Sequence, residues 1–288
     1  MRRRELLNTL LCHGALGTVV SIVADLFDPQ STGSTSTLTP SPEPTSTDAG
    51  QAISRRHIDG SYEMTYEWTD RFDHRWASEF KLERSAYVKA ASEMHGYLSG
   101  FNAAKASPHV DRLSRELTAA SPLDQRVSRP LSESARLERT IGFVRALEYV
   151  TDVQSTGVPE YVRTVEETLI DGEGDCEDLA CLLAGLLSQP PFDYRTAMVI
   201  LPGHMLIGVH RDDLPAVYSS APTLPGDTYV AIEAVSSRPV GEFQDAPVLV
   251  IYRNGIEYAD QSAIADTGQK LLRNPTDFQT IADIAEKA

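Results

Sequence analysis

The chain has 288 residues, 41% of them hydrophobic, and a formal net charge of −15 with only five lysines. This length supports one sizeable core, or a core with a small appendage, and excludes a large multidomain protein. No basic run follows the first four residues, which argues against nucleic acid as a partner. An acidic, lysine-poor surface of the halophilic type suits high salt, because salt screens the self-repulsion of the charge.

The first 27 residues are predicted to be an export signal or a membrane anchor. Three arginines at positions 2–4 precede an apolar run over residues 6–27. This order resembles a twin-arginine signal, with a candidate cleavage site at residues 22–24. A buried N-terminal helix is the alternative. We therefore expect an exported protein, either extracellular or anchored through its N-terminus to the outer face of the cytoplasmic membrane.

Residues 28–51 are rich in serine, threonine and proline. This composition cannot form a packed core, so the segment is predicted to be a disordered linker between a membrane and a folded domain. Residues 52–130 are then expected to form a β-hairpin and helices. Residues 131–288 are expected to form the main folded core, with C-terminal strands and helices.

Alternation of apolar and polar residues predicts a half-buried strand over residues 61–69 and, after a turn, its hairpin partner. An aromatic row of this kind could bind carbohydrate or bases, but a hairpin core face is the more common role. Helices are predicted over residues 83–98, 110–120 and 132–150, the last capped by Ser132 or Ser134. The residues predicted to face the core are Tyr62, Met64, Tyr66 and Trp68 on the first strand and Trp76, Ser78, Phe80 and Leu82 on the second.

Residues 171–189, DGEGDCEDLACLLAGLLSQ, place Cys176 at the start of an apolar helix. Asp175 is the predicted N-cap, and Asp178 completes a capping-box-like pair. The helix dipole and the first-turn N–H groups favour a thiolate at Cys176, whereas the neighbouring carboxylates, Glu177 included, oppose it, so the thiol needs a base. The apolar stripe consists of Leu179, Ala180, Leu182, Leu183, Leu186 and Leu187. One polar side chain on the approach to Cys176 is expected to line a cleft, among Tyr149, Gln154, Tyr161 and Glu166.

The other cysteines, Cys12 and Cys181, are not expected to pair with Cys176. Cys181 lies five residues along the same helix, a position unsuited to an unstrained disulfide. It is interpreted as a small buried hydrophobic residue. The chain has no CxxC pair, which argues against a zinc site.

Two of the seven histidines, His204 and His210, follow this helix. A strand is predicted over residues 194–201, with a turn at Pro202 and Gly203 and a hairpin partner that His204 opens. His210 lies about 20 Å further on, at about 3.3 Å per residue, and cannot replace His204.

A third strand, predicted over residues 228–235, carries one acid, Glu233, in an apolar run. Burying an unpaired carboxylate is costly, so Glu233 is expected to have a partner. The remaining predicted elements are strands over 248–253 and 256–258 and helices over 263–272 and 276–286.

Together these residues resemble the transglutaminase-like superfamily of papain-type thiol enzymes, in its exported archaeal or bacterial form. The resemblance rests on residues 174–178 before an apolar helix, on Gly203 and His204 before an apolar strand, and on an acid in the next strand. It covers approximately residues 132–260. The family usually has aspartate in the third position, where this chain has Glu233.

The resemblance implies an α+β fold in which the helix bearing the nucleophilic cysteine packs on an antiparallel sheet. It also implies that Cys176 is the nucleophile, that His204 is base and acid, and that Glu233 orients the histidine. Such a triad performs acyl transfer, with the N–H of Cys176 as one oxyanion donor. The expected activity is amide hydrolysis, as in a cysteine peptidase or amidase, or protein-glutamine acyl transfer on a peptide or protein substrate.

Two other functions are considered. The chain could be a surface binding or scaffold domain that keeps the fold without activity, or a metal-dependent hydrolase that uses the acids around Cys176 with His204. The absence of an HxxxH spacing disfavours the metal enzyme. No cofactor is expected: there is no nucleotide-binding glycine loop, and although some members of the family use calcium, this chain has no EF-hand-type loop.

Overall fold

A computed structural model describes residues 53–93, 96–119, 121–123, 131–158 and 161–273. The predicted signal, linker and last helix lie outside these residues, as does Cys12. The helices in the described part of the chain are α1 (Arg84–Ala90), α2 (Tyr97–Ala106), α3 (Pro108–Ala119), α4 (Glu133–Arg145), α5 (Asp152–Ser155), α6 (Val165–Asp171), α7 (Cys176–Ser188) and α8 (Gln261–Arg273), with 3-10 turns at Arg211–Asp213 and Ala216–Tyr218.

An antiparallel sheet of four strands begins the described chain, in the order β1 (Ile53–Ile58), β2 (Ser61–Thr69), β3 (Arg75–Glu83) and β4 (Ser121–Pro122). The predicted hairpin is confirmed, because β2 and β3 pair with Met64 opposite Phe80 and Trp68 opposite Trp76. The four predicted core residues of β2 are buried. Strand β1 was not predicted.

The prediction of one helix over residues 83–98 is wrong. Helix α1 ends at Ala90 and a new helix begins after Gly96, whose N–H donates to Ser99 Oγ at 2.8 Å. A side chain three residues into a helix that binds back to the N-cap is a start signal. Helix α3 begins similarly, since Ser107 Oγ accepts from the N–H of His109 at 3.2 Å and Pro108 occupies the first turn.

Helix α4 begins as predicted, with Ser132 Oγ accepting from Ala135 N at 3.2 Å, but it ends at Arg145 rather than at residue 150. The chain then forms a short strand, β5 (Glu148–Tyr149), parallel to β6 (Glu173–Gly174). Pairing with β6, which lies directly before the cysteine helix, therefore replaces the last predicted helical turn.

Helix α7 lies at the centre of the core. It packs against α2, α3, α4 and α6 and against two strands of the second sheet, β7 (Thr196–Leu201) and β8 (His204–His210). All its residues from Cys176 to Leu187 are buried, including the acids Glu177 and Asp178 of the first turn. From Leu179 onward this burial is expected, because that part of the helix is apolar on every side.

The second sheet is antiparallel and has five strands, in the order β11 (Ile256–Ala259), β10 (Val250–Tyr252), β7, β8 and β9 (Tyr229–Ile232). The predicted β7–β8 hairpin is confirmed, with Leu201 opposite His204 and Gly203 at a φ of 66° in the turn. Strand β9 is shorter than predicted and ends one residue before Glu233.

The chain is therefore an α+β protein, with helices packed on antiparallel sheets. One hydrophobic cluster contains residues from Tyr62 on β2 to Val250 on β10. The predicted division of the chain between residues 130 and 131 stays a prediction. Among the described helices, none has both the length and the apolar content needed to span a bilayer.

Candidate active site

His204 and Glu233 meet at the ends of two neighbouring strands. His204 begins β8 and Glu233 follows β9, which pairs with β8. The His204 Nε2 atom lies 2.8 Å from Glu233 Oε2 and 3.0 Å from Oε1. The side chains are only 13% and 3% exposed. The carboxylate in the apolar run thus has an imidazole as its partner, in a site that is largely shielded from water.

Two further contacts hold Glu233. The N–H of Val235 donates to Glu233 Oε1 at 3.4 Å. On the backbone side, Arg145 donates to the Glu233 carbonyl oxygen from Nε at 3.2 Å and from Nη2 at 2.8 Å, and Nη2 also donates to the carbonyl of Arg238 at 2.8 Å. Sequence reasoning missed Arg145, since no pattern links it to carbonyl groups about ninety residues away.

Cys176 is the first residue of α7 and is 2% exposed. Its thiol donates to Glu177 Oε2, with Sγ and Oε2 3.0 Å apart. Because α7 packs against β8, the helix that begins with Cys176 and the strand that begins with His204 are direct neighbours. Cys176 and Cys181 are both thiols rather than halves of a disulfide.

Cys181 lies five residues further along α7 and is as buried as Cys176, since each is 2% exposed. Burial, together with the negative charges of Asp178, Glu177 and Asp175, raises the pKa of the Cys181 thiol well above its usual value. A thiol of this kind is chemically inert near neutral pH.

Asp178 shapes the turn that carries Cys176. Its Oδ1 accepts from the N–H of Arg163 at 2.8 Å and its Oδ2 from the N–H of Asp175 at 3.3 Å. A Cβ added at Gly174 would lie 2.7 Å from the Asp178 Cβ, so only glycine fits there. Asp178 therefore acts on the local backbone, in keeping with the predicted capping pair.

Arg163 is a second residue that sequence reasoning missed. Its side chain is fully buried among four acids: Nη1 lies 3.4 Å from Asp178 Oδ2 and 3.8 Å from Asp152 Oδ1, Nε lies 3.7 Å from Asp171 Oδ2, and Nη2 lies 3.1 Å from Glu173 Oε1. Burial lowers the pKa of the guanidinium, but the four carboxylates outweigh burial and raise it.

The same acids are hard to ionise together. Burial and the charges of Asp175 and Asp178 raise the pKa of Asp152 to about 8. Burial raises the pKa of Asp171 to about 7, against the opposing charge of Arg163. Burial and the charge of Asp175 also raise the pKa of Asp178. The segment before Cys176 thus contains one buried cation, the Arg163 guanidinium, surrounded by a larger number of acids.

Within the part of the chain that the structure describes, two groups of side chains could supply three ligand atoms to a cation, each set within 4.8 Å: Asp175, Cys176 and Glu177, and Asp152, Asp175 and Asp178. In the second group, the Arg163 guanidinium already supplies a positive charge to Asp152 and Asp178.

The four polar residues on the approach to Cys176 differ in their exposure and in their contacts. Gln154 Oε1 accepts from Thr151, the Tyr161 hydroxyl donates to Glu167 Oε1 at 2.5 Å, and Glu166 accepts from Ser107. Tyr149, 50% exposed, pairs with Gly174 two residues before Cys176. The exposed side chain of Tyr149 lies next to the turn that carries Cys176, and Gln154 is exposed as well.

No family model matches the chain, and no curated protein matches it. Among solved structures the chain is similar to Legionella pneumophila LapG, with 15% sequence identity and a TM-score of 0.34 over 62% of this chain and 98% of the other. This likeness is a distant structural one.

Proposed function

We propose that this protein is a transglutaminase-like thiol enzyme in which Cys176, His204 and Glu233 transfer an acyl group. The observation that carries the proposal is the buried contact of 2.8 Å between His204 Nε2 and Glu233 Oε2, on a strand that packs against the helix begun by Cys176. A buried imidazole with a carboxylate on one ring nitrogen is the arrangement that orients a general base.

The side on which Glu233 binds decides which nitrogen reacts. Because Nε2 of His204 contacts the carboxylate, Nε2 carries a proton and Nδ1 is the basic atom of the neutral ring. Nδ1 is then the atom that takes the proton of the Cys176 thiol. The imidazolium that forms is stabilised by the Glu233 carboxylate.

The reaction follows from these roles. The Cys176 sulfur forms a bond to the amide carbonyl carbon, the C–N bond breaks, and His204 passes its proton to the leaving amine. Water or a second amine, deprotonated by His204, then attacks the thioester and releases the thiol. First-turn N–H groups have no acceptor within the helix, and the N–H of Cys176 supplies one oxyanion donor.

The substrate proposed for this chemistry is an amide of a peptide or protein, either a backbone bond or a glutamine side chain. Tyr149, half-exposed beside the cysteine turn, is a contact surface for such a substrate. We further propose that the enzyme is exported and acts outside the cytoplasmic membrane.

The test is the rate at which iodoacetamide alkylates each cysteine of the folded protein at neutral pH, followed by mass spectrometry. Cys176 is expected to react far faster than Cys181. His204→Ala should slow Cys176 by at least about tenfold, the usual share of a general base, and Glu233→Gln should slow it less. His210→Ala, on the same strand, is the matched control and should leave the rate unchanged.

Equal, slow labelling of the two cysteines would overturn the proposal and favour a binding or scaffold domain that keeps the fold. A positive result is followed by acyl-cysteine traps and a peptide library in high salt, which separate hydrolysis from transamidation by the product released.

A further inference from the structure

We infer that Arg145 is a positioning residue for the His204–Glu233 pair, and this inference rests on the function proposed above. Arg145 acts through the backbone of Glu233 and does not touch the reacting atoms. Its guanidinium holds the chain in the place where the Glu233 carboxylate meets His204 Nε2.

The contacts of Arg145 enclose one short loop. Three hydrogen bonds run from its guanidinium to the carbonyl oxygens of Glu233 and Arg238. These two residues are five positions apart in the first part of residues 233–249, a segment that has neither helix nor strand. Strand β9 ends at Ile232, so sheet pairing no longer fixes the backbone at Glu233. The planar guanidinium, with its fixed fork of donors, replaces that support.

Arg145 is itself held firmly. It is the last residue of α4, which packs against α7 and β2. A Cβ at Gly142, one turn earlier, would lie 3.2 Å from the Asp70 Cα and 3.3 Å from the Thr69 carbonyl oxygen. The end of α4 is therefore close against the end of β2, and the guanidinium has a rigid base.

The type of acceptor is important. Arg145 binds carbonyl oxygens and leaves the Glu233 carboxylate to the histidine. A guanidinium paired with the carboxylate itself would neutralise the charge that stabilises the imidazolium. Arg145 thus orients the acid without removing its charge.

A cavity of about 260 Å³ lies beside this contact, lined among others by Arg145, Glu138, Arg71 and Ser237. Glu138 is buried and accepts from Arg71 Nη1 at 2.7 Å and from the Tyr218 hydroxyl. The cavity gives a small cation access to the place of the Arg145 head group, next to a buried carboxylate. Truncation of Arg145 can therefore be reversed by an added guanidinium ion.

The experiment measures the pH profile of Cys176 alkylation in the full chain. Arg145→Ala is expected to lower the rate at neutral pH about fivefold to tenfold and to move the midpoint to higher pH, because a displaced carboxylate stabilises the imidazolium less. Millimolar guanidinium chloride should restore at least half of the lost rate. Arg145→Lys keeps the charge but loses the fork of donors, so its alkylation rate should lie between those of Arg145→Ala and the unmodified chain. It is the variant used if Arg145→Ala does not fold.

Arg136→Ala is the matched control, since Arg136 lies on the same helix and also donates to a backbone carbonyl, that of Leu131 at 3.0 Å. It should change neither the rate nor its response to guanidinium. In a His204→Ala background, Arg145→Ala should have no further effect, because the two act in one pathway.

The outcomes separate the two proposals. If Cys176 of the unmodified chain reacts no faster than Cys181, the proposed function fails. If Cys176 is reactive but Arg145→Ala or Arg145→Lys reacts like the unmodified chain, the role of Arg145 alone is overturned. A slow Arg145→Ala protein that guanidinium does not restore overturns it as well and assigns Arg145 a purely structural role.

Discussion

At Cys176, two influences on the thiol oppose each other within one helical turn. The start of α7 favours a thiolate, because first-turn N–H groups and the helix dipole place positive charge there. The Glu177 carboxylate, with Oε2 3.0 Å from Sγ, accepts the thiol hydrogen and repels a thiolate. Under the proposed function, His204 is the base that decides between these two influences.

Glu177→Gln is expected to raise the alkylation rate of Cys176 at neutral pH about threefold to tenfold, since the amide keeps the shape of the side chain and removes the charge that opposes the thiolate. Residue-resolved alkylation kinetics measure this. The control is Glu148→Gln, an exposed acid on β5, which should have no effect. An unchanged or slower rate in Glu177→Gln would show that Glu177 does not restrain the thiol.

Individual site residues could be predicted where the residue type and its place beside a predicted helix, turn or strand already indicate a chemical role. Cys176, His204 and Glu233 could be proposed together because a thiol at a helix start, a histidine after a turn and an acid in an apolar run each call for a partner. Arg145 and Arg163 could not, since their roles come from backbone carbonyl groups and carboxylates that only folding brings to them.

Among the elements, α7 depends on close contact with α2. A Cβ at Gly185 would lie 2.8 Å from the Ala104 carbonyl oxygen and 3.1 Å from Val110 Cγ1. Glycine is a poor helix former, so its presence inside α7 is explained by this approach of two backbones.

Gly185→Ala is therefore expected to destabilise the protein by about 1–3 kcal/mol, because the two helices must separate to admit the methyl group. Urea unfolding measures the change. Gly255→Ala is the control: a Cβ there meets nothing within 4 Å, so its effect should stay within about 0.5 kcal/mol. A Gly185→Ala protein as stable as the unmodified chain would refute the close-contact explanation.

The elements with a clear hydrophobic periodicity could be predicted from the sequence. Helix ends that depend on capping or on strand pairing could not. The β2–β3 hairpin follows the alternation of its residues, and α7 follows its apolar spacing. The start of α2 after the break depends instead on local hydrogen bonds between Gly96 and Ser99, one from the Gly96 N–H to Ser99 Oγ and one from the Ser99 hydroxyl to the Gly96 carbonyl. The early end of α4 depends on pairing between β5 and β6, whose residues lie far apart in the chain.

For the whole molecule, the buried acids around Arg163 make stability depend on pH. The folded chain raises the pKa of Asp152 to about 8 and that of Asp171 to about 7, whereas an unfolded aspartate titrates near 3.9. Between these values the folded state binds more protons than the unfolded state. The free energy of unfolding therefore falls as the pH rises from about 4 to about 8.

We expect a loss of about 6 kcal/mol between pH 5 and pH 8, because each pH unit over which an aspartate is protonated only in the folded state lowers the free energy of unfolding by about 1.4 kcal/mol. Urea unfolding across that range measures this loss. Asp171→Asn should flatten the dependence, and Glu79→Gln, an exposed acid on β3, should not. The net charge of −15 adds surface repulsion in the same direction, but high salt screens that part. A pH dependence that vanishes in high salt would contradict the buried origin.

The pairing of β8 with β9 has a consequence for how loss of activity can be interpreted. His204 begins β8 and Glu233 directly follows β9. The two side chains come together through the alignment of these strands, in which Ile207 lies opposite Ile232. A shift of one strand by two positions would move the Glu233 carboxylate by about 6.6 Å relative to the His204 imidazole. The content of β-structure would stay almost the same. Under the proposed function, the reactivity of Cys176 therefore reports on correct pairing of the sheet. A mispaired species with a native-looking circular dichroism spectrum would then have an unreactive Cys176.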